Sequence, residues 1–174
     1  MIELVAPAED RYEAWRDCMA DFGDAHDELH GTGHWFLPEG LQFDTDRDSF
    51  RALVALLGRI RRETPGGVPV PTDFLWIFDG EEMVGFIRIA HRLDPELLER
   101  GGHIGYSIRP SRRREGHAGC ALRLALGRCR ELGVDRVLVV CDEGNIASER
   151  TIVASGGIHE DTRDGVRRFW IQVG

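Results

Sequence analysis

One stretch of the chain, from residue 103 to residue 141, constrains the fold more than any other. It begins with an apolar strand pattern, His103 to Arg109, which Pro110 ends. An amphipathic helix pattern follows from Ala118 to Leu132, and a near-continuous apolar strand pattern runs from Arg136 to Cys141. A strand, a helix and a second strand buried on both faces predict a βαβ unit inside a mixed sheet.

The remaining sequence supplies further elements for such a sheet. Apolar residues at three- and four-residue steps indicate helices, and β-rich runs bounded by turn signals indicate strands. The expected helices are Ala8 to Phe22, Asp46 to Glu63 with Asp46 or Asp48 as N-cap, and Ile146 to Ala154; the expected strands are Ile2 to Val5, Phe74 to Phe78, Met83 to His91, and two within Ile158 to Val173. With 174 residues, the chain is expected to form one domain, 1–174, of the α/β (α+β) class.

Composition excludes several classes of protein. A net charge of −8 argues against a broad surface for nucleic acid. The N-terminus lacks the basic start and apolar run of a signal peptide, and no apolar run reaches the length of a membrane helix. We therefore expect a cytoplasmic protein with neither a nucleic-acid nor a membrane partner. The cysteines contain no CxxC pair, which favours buried, reduced thiols at Cys18, Cys120, Cys129 and Cys141.

The loop between the first strand and the helix of the βαβ unit reverses the charge of the chain. Residues 109–116 carry four arginines and one glutamate, a formal +3, so the remainder carries −11. Gly116, Ala118 and Gly119 open the helix, whose first N–H groups lie free at the positive end of the helix dipole. Small residues there let a phosphate approach these amides. The pattern predicts a site for a phosphorylated ligand, against the alternative of a solvated arginine-rich turn, and neither a Walker loop nor a GxGxxG fingerprint is present.

At this loop the chain resembles the GNAT N-acetyltransferase superfamily. The run Arg113-Arg114-Glu115-Gly116-His117-Ala118 fits the family's (Gln/Arg)-x-x-Gly-x-(Gly/Ala) acyl-CoA signature. The similarity extends over about residues 74–170, through Asn145 and Ser148 to Gly156-Gly157. Segments 102–110 and 145–148 look most like a bacterial branch of predicted acetyltransferases. The resemblance implies a GNAT-like acyl-CoA N-acyltransferase fold, with a mixed, mostly antiparallel central sheet flanked by helices.

The resemblance also implies a cofactor site and a reaction. Acetyl-CoA would be the co-substrate, with its pyrophosphate on the amides of residues 114–119 and its pantetheine arm paired with the backbone near Ile108. A primary amine of a small-molecule or peptide acceptor would attack the thioester directly, without a metal. The residues implied in cofactor binding are Ile108, Arg109, Arg113, Arg114, Gly116, His117, Ala118, Gly119, Asn145 and Ser148.

The proton chemistry departs from the family pattern. Many members place a tyrosine seven residues after the asparagine as general acid, and here that position is Ile152. A glutamate base often stands near the start of the fourth strand, where this chain has Gly102 and His103. Histidine titrates near neutrality, so His103 is a candidate base. Tyr106 and a water relay are the alternatives.

Other patterns support competing hypotheses. His26, His30 and His34 recur every four residues, as in a metal site of a hydrolase, although Gly31 and Gly33 are expected to break the helix. The same loop, with Asp24, Asp27, Glu28 and Trp35, is alternatively expected to line an acceptor cleft. A GNAT-like module that binds acyl-CoA without turnover is a further alternative. The terminal strands near Phe169 and Trp170 offer a surface for pairing in a homodimer.

Overall fold

The computed structural model describes residues 1–23, 29–37, 44–61 and 70–174. Four α-helices and seven strands lie in this part of the chain. The helices are α1 (Tyr12–Phe22), α2 (Arg47–Ile60), α3 (His117–Glu131) and α4 (Ile146–Ala154). The strands are β1 (Ile2–Val5), β2 (Thr72–Asp79), β3 (Glu82–Ala90), β4 (Ile104–Ile108), β5 (Arg136–Asp142), β6 (Ile158–Arg163) and β7 (Val166–Gln172).

All seven strands belong to one sheet, in the order β1-β2-β3-β4-β5-β7-β6. Every neighbouring pair is antiparallel except β4 and β5, which are parallel and joined by α3. The predicted βαβ unit and the mixed, mostly antiparallel sheet are therefore confirmed. Crossover connections of this kind are what parallel neighbours require.

The two faces of the sheet carry separate apolar cores because side chains alternate along each strand. Ile87 and Ile89 of β3 face α3 and pack with Ile104, Val139 and Leu122. The opposite face, which includes Phe86, Trp76 and Phe74, packs against α1 and α2 through residues such as Trp15 and Phe50. Helices therefore cover both faces of the sheet, and the ends of the central strands are accessible only from its rim.

The parallel strands β4 and β5 pair at one end and then diverge. Ile104 and Val139 are their one paired position, and the His103 N–H donates to the Leu138 carbonyl at 2.7 Å. Gly102 precedes this junction at φ +63°, and a Cβ on it would lie 2.6 Å from the Leu138 oxygen. Beyond Ile104, the edge of β4 that faces β5 has no strand partner among the described residues, which creates a gap in the sheet.

Most predicted boundaries hold to within a few residues. Asp46 caps α2, where its carboxylate accepts from the amides of Asp48 and Ser49. Three of the four cysteines are buried, whereas Cys120 is partly exposed. In the described residues, no helix is long and apolar enough to cross a membrane.

The expected dimer surface near Phe169 and Trp170 lies on the last strand pair of the sheet, β6 and β7. These residues lie on β7, which pairs with β5 on one side and β6 on the other. Within the described sheet the free edges are those of β1 and of β6, the outer strand of this pair, and a homodimer formed through it stays a prediction.

Candidate active site

A cleft of about 1160 Å³ occupies the gap between β4 and β5. The start of α3 forms one wall, the start of α4 forms another, and residues 30–35 border the opposite end. The phosphate-site prediction and the acceptor-loop prediction therefore fall on one continuous cleft. Of the predicted cofactor residues, those that line it are Ile108, Arg113, Arg114, Gly116, His117, Ala118, Gly119, Asn145 and Ser148.

The first turn of α3 presents free backbone amides to the cleft. Among the described residues, the N–H groups of residues 114–119 donate to no backbone carbonyl, and the first such bond of the helix is from Cys120 to the Gly116 carbonyl. Gly116 is the N-cap at φ +83°, and a Cβ there would meet open space. The residue is glycine because of its left-handed backbone, and the open space leaves the amides accessible. Such an array at a helix N-terminus binds anionic oxygens.

Within the described part of the chain, Arg109 and Arg112 of the loop are paired with acids from other elements. Arg109 donates to Asp21 of α1 at 3.0 Å and to Glu82 at 3.4 Å, and it does not line the cleft. Arg112 pairs with Glu82, Asp79 and Glu115. We therefore do not retain the side chain of Arg109 as a cofactor ligand, since its charge is used to hold the loop.

Arg113 and Arg114 are placed differently from their neighbours. The Arg113 Nε donates to the Ile108 carbonyl at 2.9 Å, which ties the loop to the end of β4. Arg114 adopts φ +67°, is exposed, and has no side-chain partner among the described residues. Its guanidinium is the loop cation most available to a ligand in the cleft.

A hydroxyl pair lies where β4 meets α4. The Tyr106 hydroxyl is 3.0 Å from the Ser148 Oγ, and both residues line the cleft. Asn145 is the N-cap of α4, with its Oδ1 accepting from the Ser148 N–H at 3.1 Å. Burial raises the pKa of Tyr106, so the phenol stays protonated at neutral pH. A protonated phenol beside a second hydroxyl can supply a proton to a leaving group in the cleft.

His103 lies beneath the cleft rather than in it. The ring is 5% exposed, and its Nδ1 accepts from the Leu138 N–H at 2.9 Å. Burial, with a contribution from the Arg88 charge, lowers the pKa of His103 to about 4. The neutral ring therefore carries its proton on Nε2 and its lone pair is already used, which argues against the predicted role as base. The alternative reading, a packing role at the strand junction, fits this geometry.

Backbone groups of β4 also face the gap. The Arg109 N–H donates to the Val84 carbonyl of β3, and hydrogen bonds alternate along an antiparallel ladder. By this alternation, the backbone polar groups of Tyr106 and Ile108 point away from β3, toward the divergence. They are positioned to pair with an extended ligand or to donate to a carbonyl oxygen.

The end of the cleft away from α3 holds a cation that the sequence interpretation missed. Arg88 of β3 lines this region together with His30, Trp35, Arg100 and Gly101. A lone arginine inside the apolar run 83–91 was the available signal. Trp35, which was expected to line an acceptor cleft, is part of the lining of this cleft, whereas Asp24, Asp27 and Glu28 lie outside the described residues.

The histidine series does not form a metal site in the part of the chain that is described. His26 falls outside that part, and the His34 Nδ1 lies 2.6 Å from the Thr32 hydroxyl. Gly31 and Gly33 both have positive φ, which confirms the expected break of the helix. No group of potential metal ligands occurs among the described residues.

Comparison with known proteins agrees with this arrangement. The family model for the acetyltransferase (GNAT) domain matches residues 20–157 of the sequence. No curated protein matches the sequence. RimL, a ribosomal L7/L12 alpha-N-protein acetyltransferase solved in complex with coenzyme A, is 18% identical with a TM-score of 0.68, over 98% of this chain and 93% of that one. RimJ of Mycobacterium smegmatis, in complex with CoA-disulfide, is 19% identical with a TM-score of 0.71, over 98% and 81%.

The diverging parallel strands and the amide array at the start of α3 suit an extended ligand that carries phosphates, which agrees with the class of acyl-CoA-dependent acyltransferases. The match over residues 20–157 shows that the chain belongs to the GNAT acetyltransferase family. It is an acetyl-CoA-dependent acetyltransferase.

Proposed function

We propose that this protein transfers the acetyl group of acetyl-CoA to a primary amine of a small-molecule or peptide acceptor, by direct attack of the amine on the thioester. The observation that carries the proposal is the free amide array of residues 114–119 at one end of a cleft that continues through the gap between β4 and β5. A phosphate-binding end joined to a gap with unpaired strand backbone suits a pyrophosphate followed by an extended pantetheine arm.

The cofactor residues divide by type of contact. The amides of residues 114–119 hold the pyrophosphate, and the Arg114 guanidinium pairs with a peripheral phosphate. The backbone near Ile108 pairs with the pantetheine arm, while Asn145 and Ser148 at the start of α4 contact it from the other side. The side chain of Arg113 keeps the loop closed on β4 through the Ile108 carbonyl.

The proton steps use Tyr106 and water. Attack by the neutral amine forms the C–N bond and drives electrons onto the thioester oxygen, which a β4 backbone N–H stabilises. Collapse breaks the C–S bond, and Tyr106 donates its proton to the departing sulfur while Ser148 orients the phenol. The attacking nitrogen loses one proton as the amide forms, and that proton returns to the Tyr106 phenolate through water. A water relay removes the proton that the acceptor ammonium must lose.

Titration calorimetry with acetyl-CoA tests the binding half of the proposal. Gly116→Glu places bulk and negative charge at the amide array, and we expect no measurable acetyl-CoA binding. Gly127→Glu is the matched control, since Gly127 lies further along α3, has no positive φ, and a Cβ there meets nothing within 4 Å. Unchanged affinity in Gly116→Glu would refute the assignment of the loop.

Release of CoA in the presence of amines tests the catalytic half. The panel contains amino acids, polyamines and peptide N-termini, the last because RimL is named for an alpha-N-protein substrate. All 22 basic residues of this chain are arginine, so self-acetylation at lysine cannot contribute to the signal. Tight acetyl-CoA binding with no CoA release for any amine would favour the non-catalytic acyl-CoA-binding module instead.

A further inference from the structure

The end of the cleft opposite the phosphate site contains a guanidinium that forms no ion pair with an acid among the described residues. Arg88 projects from β3 on the face that packs toward α1 and α2, and it is partly buried in the cleft lining. Its Nη2 donates to the Gly101 carbonyl at 2.7 Å and its Nη1 to the Gly102 carbonyl at 3.3 Å. Among the described residues, no carboxylate forms an ion pair with it, and Asp94 acts on it only from a longer distance.

The surrounding backbone is shaped to accept this side chain. A Cβ on Gly101 would lie 3.1 Å from the Arg88 Nη2, and a Cβ on Gly105 would lie 3.2 Å from its Nε. Two glycines therefore leave the space in which the guanidinium lies flat across β4. Two carbonyls accept from Nη1 and Nη2 and fix the orientation of the guanidinium, and its other N–H donors have no acceptor among the described residues of the cleft lining.

Holding a cation at this position is unfavourable without a counter-charge. Burial lowers the pKa of Arg88 to about 10, so the group is still charged at neutral pH although its surroundings disfavour the charge. Among the described residues, the other ionisable groups that line this end are exposed Arg100 and His30, neither of which is acidic. An anion in the cleft would be stabilised by a preoriented, partly desolvated partner.

We propose that Arg88 is the acceptor-recognition residue of the cleft and that the acceptor amine carries a carboxylate, which binds this guanidinium while the amine is directed toward the thioester. This inference rests on the proposed acetyltransferase function and names its substrate class. One buried cation balances one negative charge, which suits a carboxylate better than a phosphate dianion. Exposed Arg100 at the rim attracts the same group during entry.

A carboxylate on the acceptor has two sources, and the experiment distinguishes them. One matched pair is serine against serinamide, which tests a free α-carboxylate. The other is Ser-Asp-Ala-amide against Ser-Asn-Ala-amide, which tests a side-chain carboxylate next to a peptide N-terminus. The serinamide amine is less basic than that of serine, so any bias from amine reactivity opposes the expected result.

With wild-type enzyme, we expect kcat/KM for the acidic member of at least one pair to exceed that of its amide by about tenfold or more. In Arg88→Gln the ratio falls below about threefold, and in Arg88→Lys, which keeps the charge but not the planar fork, it is intermediate. Arg59→Gln removes a charge from an exposed position of α2 outside the cleft and leaves the ratio as in wild type. The pair that responds identifies the source of the carboxylate.

Ratios near one for both pairs in wild type, or a preference that survives in Arg88→Gln, would overturn the inference. The wild-type comparison decides the matter even where a variant fails to fold. If neither pair is turned over, calorimetry with two bisubstrate analogues, CoA joined through an acetyl bridge to serine or to serinamide, gives the same comparison at equilibrium. Equal affinities together with intact acetyl-CoA binding overturn the inference alone, whereas loss of acetyl-CoA binding overturns the proposed function first.

Discussion

Neighbouring residues of one type take different roles in this protein, and the loop arginines show why. Arg109 and Arg112 face carboxylates from α1, β2 and β3, whereas Arg114 faces the cleft. Paired arginines stabilise the loop, and an unpaired arginine remains available to a phosphate. The same distinction separates Arg88 from Arg109 and Arg112, because its partners are carbonyls rather than acids.

The lowered pKa of buried His103 leads to a prediction about stability rather than catalysis. The folded pKa is about 4, below the ordinary 6.5, so the unfolded chain binds the proton more readily between these values. The contribution of neutral His103 is therefore complete above pH 6.5 and is lost as the pH falls toward 4. Because of this group, we expect the unfolding free energy to fall by about 2 kcal/mol when the pH is lowered from 7 to 5.

Urea unfolding at the two pH values measures this loss. His103→Asn keeps an acceptor for the Leu138 N–H but cannot titrate, so its loss between pH 7 and pH 5 should be smaller by about 2 kcal/mol. Equal losses in the two proteins would show that His103 is not the group responsible.

Tyr106 makes the corresponding prediction about catalysis. Tyr106→Phe keeps the ring and removes the hydroxyl, so kcat should fall about 100-fold or more while KM for acetyl-CoA changes little. Tyr12→Phe is the matched control, because Tyr12 donates to the Thr45 carbonyl away from the cleft and is the one other tyrosine of the chain. Steady-state rates that are the same for the two variants would contradict the role of Tyr106 as general acid.

At the scale of elements, the site depends on how β4 and β5 part. Parallel neighbours joined by α3 bring the amide array of the helix and the open edge of β4 to the same place. The junction at Ile104 and Val139 sets where the divergence begins. Gly102 is required there, because its backbone is left-handed and the Leu138 carbonyl approaches it closely.

Gly80 and Gly102 have the same φ, so comparing them distinguishes the effect of the left-handed backbone from that of the close Leu138 carbonyl. Gly80 in the turn between β2 and β3 also has φ +63°, but a Cβ on it would meet nothing within 4 Å. Gly80→Ala should lose about 1 kcal/mol of unfolding free energy through backbone strain alone. Gly102→Ala adds the clash with Leu138 and should lose about 2 kcal/mol more in urea titrations. Equal losses of unfolding free energy in the two variants would show that the backbone at the junction shifts to accommodate the alanine without further destabilisation.

At the scale of the whole molecule, the acidic surplus of the chain is used to position its basic loop. The −8 net charge includes Asp21, Asp79 and Glu82, which come from three different elements and converge on the loop. Asp21 alone accepts from the Ser111 N–H at 3.0 Å, the Ser111 hydroxyl at 2.7 Å and the Arg109 Nε at 3.0 Å. It therefore ties α1 to the segment that leads into the cofactor site.

Asp21→Asn tests this tie. We expect a loss of about 1–3 kcal/mol in unfolding free energy and weaker acetyl-CoA binding, because a charged acceptor of three hydrogen bonds is replaced by a neutral one. Asp17→Asn on the exposed side of the same helix should change stability by less than about 0.5 kcal/mol. Denaturant midpoints measure the change in stability, and calorimetry measures acetyl-CoA binding. Similar results for the two variants would contradict the role of Asp21 in tying α1 to the loop.

The sequence by itself determined the elements and the loop that we propose for the cofactor. Strand and helix periodicity, Pro110 and the small residues at the start of α3 are local signals, and local backbone preferences act before any tertiary contact forms. The order of strand, helix and strand from residue 103 to residue 141 was enough to predict the parallel pair of strands. The phosphate-site prediction depended on the same short stretch.

Only the tertiary structure decided which side chains are available for chemistry. Whether Arg109 meets Asp21, whether His103 lies under the strand junction, and whether Tyr106 reaches Ser148 all depend on residues distant in sequence. Burial and partner charges set the protonation and accessibility of each group, and both are properties of packing. Arg88 lies within one apolar strand of the sequence, and its place in the cleft became visible only when Gly101 and Gly105 were brought beside it.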